Sequence, residues 1–298
     1  MKRRLIKQKS AYTITLPISW IRENNLETKD EINLTREKDS LIISSDKKDV
    51  ENEISLDLKK GVEDYCRIMI EGSYLRGYNR IIINLESKEQ FRYSQKVISN
   101  LIGLEIVEQK QNKIIAETTS EPTEEQFQRM LGRVFNIIEY TQDMIKEDFE
   151  KSAFRNKKEI KSQSDDTRRL LLFCIRTLHK RRITSREEES FMHLLLERLI
   201  LIEHNYNYMY QKLSKIKSVN ITANCKKQFQ RTLEMFSLFK KMFFRKEIGN
   251  FSEITKAWEE IYFADSPSKN TEDSIIDYHL KYLSKLIFLI SQPNLTLN

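Results

Sequence analysis

The chain is poor in the residues that punctuate or crosslink a fold: its 298 residues include six glycines, four prolines and three cysteines. So few turn formers argue for helix over turn-dense β structure. Cys66, Cys174 and Cys225 are odd in number and widely spaced. That excludes a disulfide framework using every cysteine and any close metal-ligand pair, and it fits a reducing, cytoplasmic setting. The most apolar runs, Leu170 to Ile175 and Leu286 to Ile290, fall far short of the ~18 residues of a bilayer span. The charged start has no apolar stretch of signal-peptide length. No Gly-x-Gly-x-x-Gly, phosphate loop, nucleophile elbow or paired catalytic acid is present, so an enzyme is not expected. The sharpest absence is local: between Met1 and Arg22 there is no carboxylate.

What stands in that stretch is basic and β-forming. Lys2, Arg3, Arg4, Lys7, Lys9 and Arg22 supply its charge, within a chain whose net charge is +7. Such a cluster suits an anionic partner, nucleic acid or a membrane surface. Tyr12-Thr13-Ile14-Thr15-Leu16 alternates at period two, which predicts a strand ended by Pro17. Trp20-Ile21-Arg22 continues as a short helical turn. Leu26 and Lys29-Asp30 precede a second strand, Glu31 to Thr35, and Lys38-Asp39 turns into a third, Leu41 to Ile43. A unit this small buries too little apolar surface to stand alone, and without cysteine it is expected to dimerise.

The order and spacing of Arg4, Tyr12 through Pro17, Trp20-Ile21, Leu26, Asp30 and Leu41 to Ile43 resemble the SpoVT–AbrB swapped-hairpin DNA-binding domain. Two departures stand out: Lys9-Ser10-Ala11 lacks the glycines common before the first strand, and Lys29 replaces the usual turn glycine. The resemblance implies a β-barrel built by two chains. In it Arg3, Arg4, Lys7, Lys9, Thr13, Thr15 and Arg22 lie near one DNA-facing surface, cations on phosphates and hydroxyls as secondary donors.

Beyond a polar linker, Ser45 to Glu53, the pattern reads β-α-β-α-β-β. Strands are expected at Ile54 to Leu58, Arg80 to Leu85, Leu104 to Gln109 and Lys113 to Thr118. A helix over Lys59 to Tyr78 ends at Gly77, and one over Ser87 to Leu101 opens with a Ser87/Gln90 capping box. Six helices then follow. The first is capped by Thr123 and Gln126, with Phe127, Leu131, Val134, Ile138 and Ile145 on one face. The second covers Leu170 to Lys180. The third, capped by Ser185 and Glu188, carries Leu195, Leu199, Ile202, Tyr206, Met209 and Leu213. A fourth holds Phe229, Leu233, Phe236, Phe239 and Phe243, and a fifth holds Ile254, Ala257, Trp258 and Ile261. After a break at Asp265-Ser266-Pro267 the last runs from about Ser274 to Ser291. The expected fold class is α+β: a module over 1–48, a small α/β domain over 53–119, and an all-α bundle over 122–298, single or two three-helix bundles in tandem.

The AbrB-like start, the segments Gly72 to Ile81 and Asn100 to Glu108, and the helical half together resemble archaeal PhoU-like phosphate-uptake regulators. In that family, carboxylates one helical turn apart can hold a metal ion. Here the corresponding runs are Asp165-Asp166-Thr167-Arg168-Arg169-Leu170 and Glu197-Arg198-Leu199-Ile200-Leu201-Ile202. Arg168 replaces the closing carboxylate, and an arginine there opposes a cation, so neither metal nor another cofactor is expected. Glu203-His204 reads as a surface pair, His279 as a core or boundary histidine, and His179, His193 and His204 as lacking the neighbours of a metal site or triad. His179-Lys180-Arg181-Arg182 reads as cations complementing a helix C-terminus, and Glu187 to Glu189 as acids favoured at a helix start.

The expected function is therefore a dimeric DNA-binding transcriptional regulator, with a helical sensor or interaction module. The alternative is an adaptor that meets a phosphate-transport or signalling protein through its helices and uses the basic module only to dimerise.

Overall fold

The computed structural model describes residues 2–37, 40–45, 52–58, 62–120, 122–180, 186–264 and 270–297. The Lys38-Asp39 turn, most of the expected linker, Arg181-Arg182, the Ser185 cap and the Asp265-Ser266-Pro267 break lie outside them. The chain forms two compact units, Met1–Ile54 and Ser55–Asn298.

The first unit holds two hairpins and a short helix. β1 (Ile6–Gln8) pairs antiparallel with β2 (Ala11–Thr13), setting Ile6 opposite Thr13 and Lys7 opposite Tyr12. Lys9 makes the turn at φ +50°, the left-handed conformation a glycine adopts without a Cβ penalty. The strand expected from Tyr12 to Leu16 thus stops at Thr13, because it is one arm of a tight hairpin whose other arm is hidden in the basic run. Pro17, at φ −63° and ψ 132°, opens α1 (Ile18–Glu23). There its fixed φ and missing N–H cost nothing. The Asn24 side-chain amide donates to the Trp20 carbonyl at the helix end, at 2.8 Å. Next, Asp30 closes a turn by accepting the Glu27 N–H. β3 (Ile32–Glu37) then pairs antiparallel with β4 (Ser40–Ser45), Leu34 opposite Ile43. The two hairpins remain separate two-stranded sheets, so one chain closes no barrel among its described residues.

β5 (Glu53–Asp57) begins two residues before the second unit, and α2 (Glu63–Leu75), β6 (Arg80–Asn84), α3 (Lys88–Ser99), β7 (Leu104–Lys110) and β8 (Lys113–Thr118) follow it. This is the β-α-β-α-β-β order read from the sequence. The strands form one sheet in the order β5-β6-β8-β7, with β8 antiparallel to both β6 and β7. Gly77 sits at φ +86° just past α2, where a residue with a Cβ would be strained. Ser87 accepts the Gln90 N–H at 3.2 Å. The Gln90 side chain reaches back to the Glu86 N–H instead of that of Ser87 and also donates to the Leu58 carbonyl.

Six helices follow: α4 (Glu124–Lys151), α5 (Lys157–Lys180), α6 (Arg186–Leu213), α7 (Ala223–Arg245), α8 (Asn250–Tyr262) and α9 (Thr271–Leu297). The Thr123/Gln126 capping box forms in both directions. α4 and α6 both pack on α5, α7 to α9 pack on one another, and the contacts α6–α9 and α4–α7 join the two sets. The apolar core runs through all six helices as one cluster, so tandem three-helix sets share a single interior. Phe135 of α4 is one hub, its ring 5.6–5.9 Å from Phe236, Phe239 and Phe243 of α7.

Two expectations about helix length are corrected. α5 begins at Lys157, thirteen residues before the expected start at Leu170. Its first half buries Ile160, Ser164 and Thr167, a stripe of helical spacing that small polar residues disguise. α9 runs past Ser291 and through Pro293 to Leu297.

The sheet module is fastened to the helices through α5. Arg176 is buried; it donates to the Tyr74 carbonyl, to Asn79 Oδ1 at 3.2 Å and to Thr118 Oγ1 at 3.0 Å. Its guanidinium also lies 4.7 Å from the Tyr74 ring centroid, a cation–π arrangement. Lys180 reaches the same Asn79 oxygen at 2.6 Å.

Candidate nucleic-acid interface

The basic module presents its cations to solvent. Arg3 and Arg4 precede β1, Lys7 lies within it, Lys9 forms the turn, Thr13 ends β2, Thr15 follows it, and Arg22 sits on α1; all seven are exposed. The register separates two of them. Lys7 shares a face with Tyr12, whereas Thr13 shares the opposite face with Ile6, because side chains alternate along a strand. One hairpin therefore does not carry both on a single surface. Sequence reading missed β1 because only three residues of it pair, inside a run dominated by charge.

The same unit leaves its apolar side chains uncovered. Leu5, Ile6, Tyr12, Ile18, Leu34 and Leu41 are each more than half exposed, and Leu26 is the unit's buried apolar residue among those described. Fully burying a side chain of this size is worth roughly 1.5–3 kcal/mol. A module with this much exposed apolar surface next to paired strands has reason to associate. The exposed set includes both arms of the first hairpin and one residue from each strand of the second.

Residues 5–51 match the family model for antidote–toxin recognition by the bacterial antitoxin MazE. The match covers the hairpins and α1 and stops before the sheet module. The N-terminal segment is thus MazE/AbrB-like, and the remainder of the chain is not part of the match. No curated protein and no solved structure matches the chain.

In the helical half, the run around Asp165 is arranged for ion pairs. Asp165 takes Lys161 at 2.6 Å, and Arg168 binds Glu71 of α2 through both terminal nitrogens, each at 2.6 Å. Among the described residues no three His, Cys, Asp or Glu side chains gather where a metal could sit.

Glu203-His204 is not a surface pair. Glu203 is fully buried, accepts the Thr141 hydroxyl at 3.1 Å, and has a second carboxylate oxygen with no hydrogen-bond partner. Burial pushes its carboxyl up to about 8. The sequence hid it because Glu203 follows Ile202 directly, where a short window looks like a helix edge. His204 is half-buried, and burial followed by the Arg168 charge holds its imidazole below the ordinary value.

His279 is a core histidine, as its register with Ile275 and Leu286 suggested. Its Nδ1–H donates to Asn205 Oδ1 at 2.7 Å, while the Asn205 amide returns a bond to the His279 carbonyl at 3.0 Å. Burial lowers its imidazole to about 4. His179 Nδ1 meets the Leu75 carbonyl at 2.7 Å and its ring lies 4.7 Å from that of His193, a pair that by itself makes neither a metal site nor a triad. All three cysteines are buried free thiols, and burial raises Cys174 and Cys225 to about 12, leaving them unreactive.

Proposed function

We propose that the chain is a dimeric DNA-binding transcriptional regulator whose N-terminal hairpins read DNA and whose helices act as a sensor or interaction module. The observation that carries this reading is the coincidence of two exposed surfaces on one MazE/AbrB-like segment. Six cations without a carboxylate occupy its first 22 residues, and its hairpins leave Ile6, Tyr12, Leu34 and Leu41 open to solvent. The apolar surface is suited to a second copy, in which hairpins of two chains interleave into a barrel. Dimerisation then doubles the basic cluster and sets it at fixed spacing, so several phosphates are neutralised together. Arg3, Arg4, Lys7, Lys9 and Arg22 take the phosphate role, and Thr13 and Thr15 act as secondary donors.

The finer reading, regulation of phosphate uptake by a PhoU-like helical half, rests on the sequence resemblance of residues 72–81, 100–108 and the helices. In it the protein works without a metal at the helical face, because Arg168 occupies a carboxylate position. The matched family is described by antidote–toxin recognition, which favours a protein as the second class of partner for the same module. The deciding experiment is titration of the full-length protein with random-sequence duplex DNA at increasing salt. Saturable, steeply salt-dependent binding supports the DNA reader, and its absence at low salt transfers the module to a protein partner.

A further inference from the structure

A cleft of about 350 Å³ opens where α2 and α3 of the sheet module meet α5 and α6 of the helices. That volume falls at the small end of the range for small-molecule sites. Five of its lining side chains are cationic and three are carboxylates. The carboxylates are already occupied. Lys96 takes Glu63 at 2.9 Å and Lys161 takes Asp165 at 2.6 Å. Glu71, only 8% exposed, receives two guanidiniums, both nitrogens of Arg168 and, at 3.4 Å, one of Arg67. Arg67 also holds Asp64 at 3.1 Å, so these pairs are close to balanced and the uncompensated cation of the cleft is its fifth, on α5. Arg169, on the next position of α5, lines the same cleft and makes no hydrogen bond or ion pair among the described residues. It is a guanidinium fork with its donors unused.

The remaining walls are not charged. Val97 of α3 and Leu172 of α5 are buried beneath the opening. Tyr208 stands at its edge, 56% exposed, with its ring 5.9 Å from that of His204 one turn earlier on α6. Burial, and then the Arg168 charge, lowers the His204 imidazole below its ordinary value, and its ring adds an aromatic face and a hydrogen-bonding nitrogen to the wall. An unused guanidinium among paired cations and an apolar-aromatic wall in one concavity are complementary to a molecule with one anionic end and one planar or apolar end.

We infer that this cleft binds a small organic phosphate, with the phosphate on Arg169 and its cationic neighbours and the organic body against Leu172, Val97 and Tyr208. Arginine suits the first role because its planar fork grips phosphate oxygens in pairs. The ligand would touch α3 of the sheet module together with α5 and α6, adding a bridge where Arg168 and Glu71 already make one. Nucleoside monophosphates and sugar phosphates share this chemistry, and the tyrosine edge distinguishes them, since a flat base can lie on it. The inference does not depend on the N-terminal hairpins reading DNA.

The test is isothermal titration of the full-length protein with AMP, glucose 6-phosphate and inorganic phosphate, on the native chain and on Arg169→Glu and Tyr208→Ala. Arg169 is exposed and, among the described residues, unpaired, and Tyr208 is largely exposed, so neither replacement should lower the melting temperature. The expected result is one-to-one binding of AMP or glucose 6-phosphate, weakened at least about tenfold by Arg169→Glu. Inorganic phosphate should bind more weakly than the organic ligand. Loss of affinity in Tyr208→Ala for AMP alone assigns a nucleotide, and retention there with glucose 6-phosphate bound assigns a sugar phosphate. Silence of both organic phosphates at millimolar concentration overturns the inference. So does binding that Arg169→Glu leaves intact, or inorganic phosphate binding as tightly as either.

Discussion

Arg168 grips Glu71 with two parallel hydrogen bonds of 2.6 Å, joining α5 of the helical half to α2 of the sheet module. The Glu71 side chain is 10% exposed and that of Arg168 27%, so the pair is screened far less than a surface ion pair. Removing one partner strands the other. Arg168→Ala leaves Glu71 with Arg67 alone, and should destabilise the second unit by about 1–3 kcal/mol. A double-mutant cycle with Glu71→Gln, read by urea denaturation, should give a coupling near 1 kcal/mol or more. Additive losses would show the two residues to be independent.

Much of this architecture was legible in the sequence, and the misses have identifiable causes. The β-α-β-α-β-β order was readable because each element carries its own punctuation: Gly77 at the end of α2, Ser87 at the start of α3, Gln111-Asn112 between β7 and β8. The start of α5 was not, because Ser164 and Thr167 fill buried positions that pattern reading reserves for apolar residues. The hairpin turn at Lys9 was hidden because its positive φ sits on a lysine instead of a glycine. Glu203 and the two guanidiniums on Glu71 were beyond reach, since their surroundings come from helices far apart in the chain. Each of the seven candidate DNA contacts could be named and found exposed. Their common surface could not be derived, because it depends on a second chain.

Lys29 adopts φ +85° at the position where the sequence departs from the usual turn glycine. A side chain in that region costs of order 1 kcal/mol. Lys29→Gly should therefore leave the stability of the N-terminal unit unchanged or raise it by up to about 1 kcal/mol, the strain relieved being partly offset by the greater freedom of glycine when unfolded. The measurement is thermal unfolding of the full-length protein carrying Trp258→Phe, followed by the fluorescence of Trp20. Clear destabilisation would mean that the lysine side chain makes a contact worth more than the strain.

Two buried groups give the helical half opposite responses to pH. Glu203 keeps its proton up to about 8 when folded and loses it near 4.5 when unfolded. Its contribution to stability is fully present below pH 4.5 and is lost as pH rises toward 8, where the buried carboxyl must ionise. His279 runs the other way, because burial lowers it from 6.5 to about 4. Its stability is complete above pH 6.5 and is lost as pH falls toward 4, while the unfolded chain takes up a proton that the folded core refuses. Glu203→Gln should thus stabilise by roughly 4 kcal/mol at pH 8 and by almost nothing at pH 4. His279→Gln should flatten the acid limb. Urea midpoints at a series of pH values read both, and a Glu203→Gln gain independent of pH would rule out ionisation as the cause.

Ile14 follows directly on the end of β2, 38% exposed, beside hairpin residues that are more open still. If two chains cover this surface, Ile14→Asp places a carboxylate in the shared core. The dimer should then dissociate by at least two orders of magnitude more readily, since burying an unpaired charge costs several kcal/mol. Light scattering at micromolar concentration reads the change. A native protein that is already monomeric there, with the hairpins intact, removes the basis for a two-chain barrel.

DNA affinity should be governed by the basic run itself. Lys7 lies on a paired strand, Lys2, Arg3 and Arg4 stand shortly before it and Lys9 makes the turn after it, with no carboxylate between them to neutralise any of the charge. Each phosphate contact releases condensed counterions, giving a log–log slope with salt of about −0.9 per contact on duplex DNA. Replacing Arg3, Arg4 and Lys7 by alanine removes up to three such contacts per protomer, and twice that in a dimer. The slope should become shallower by roughly 3–5 units, and affinity at low salt should fall by orders of magnitude. The helical half should keep its unfolding transition, because none of the three residues belongs to that unit. Fluorescence anisotropy with labelled duplex across a salt series measures affinity and slope together. An unchanged slope in the triple variant would place the phosphate contacts elsewhere. Absence of binding by the native protein at low salt would leave the hairpins with dimerisation alone and the helices as the surface through which the protein acts.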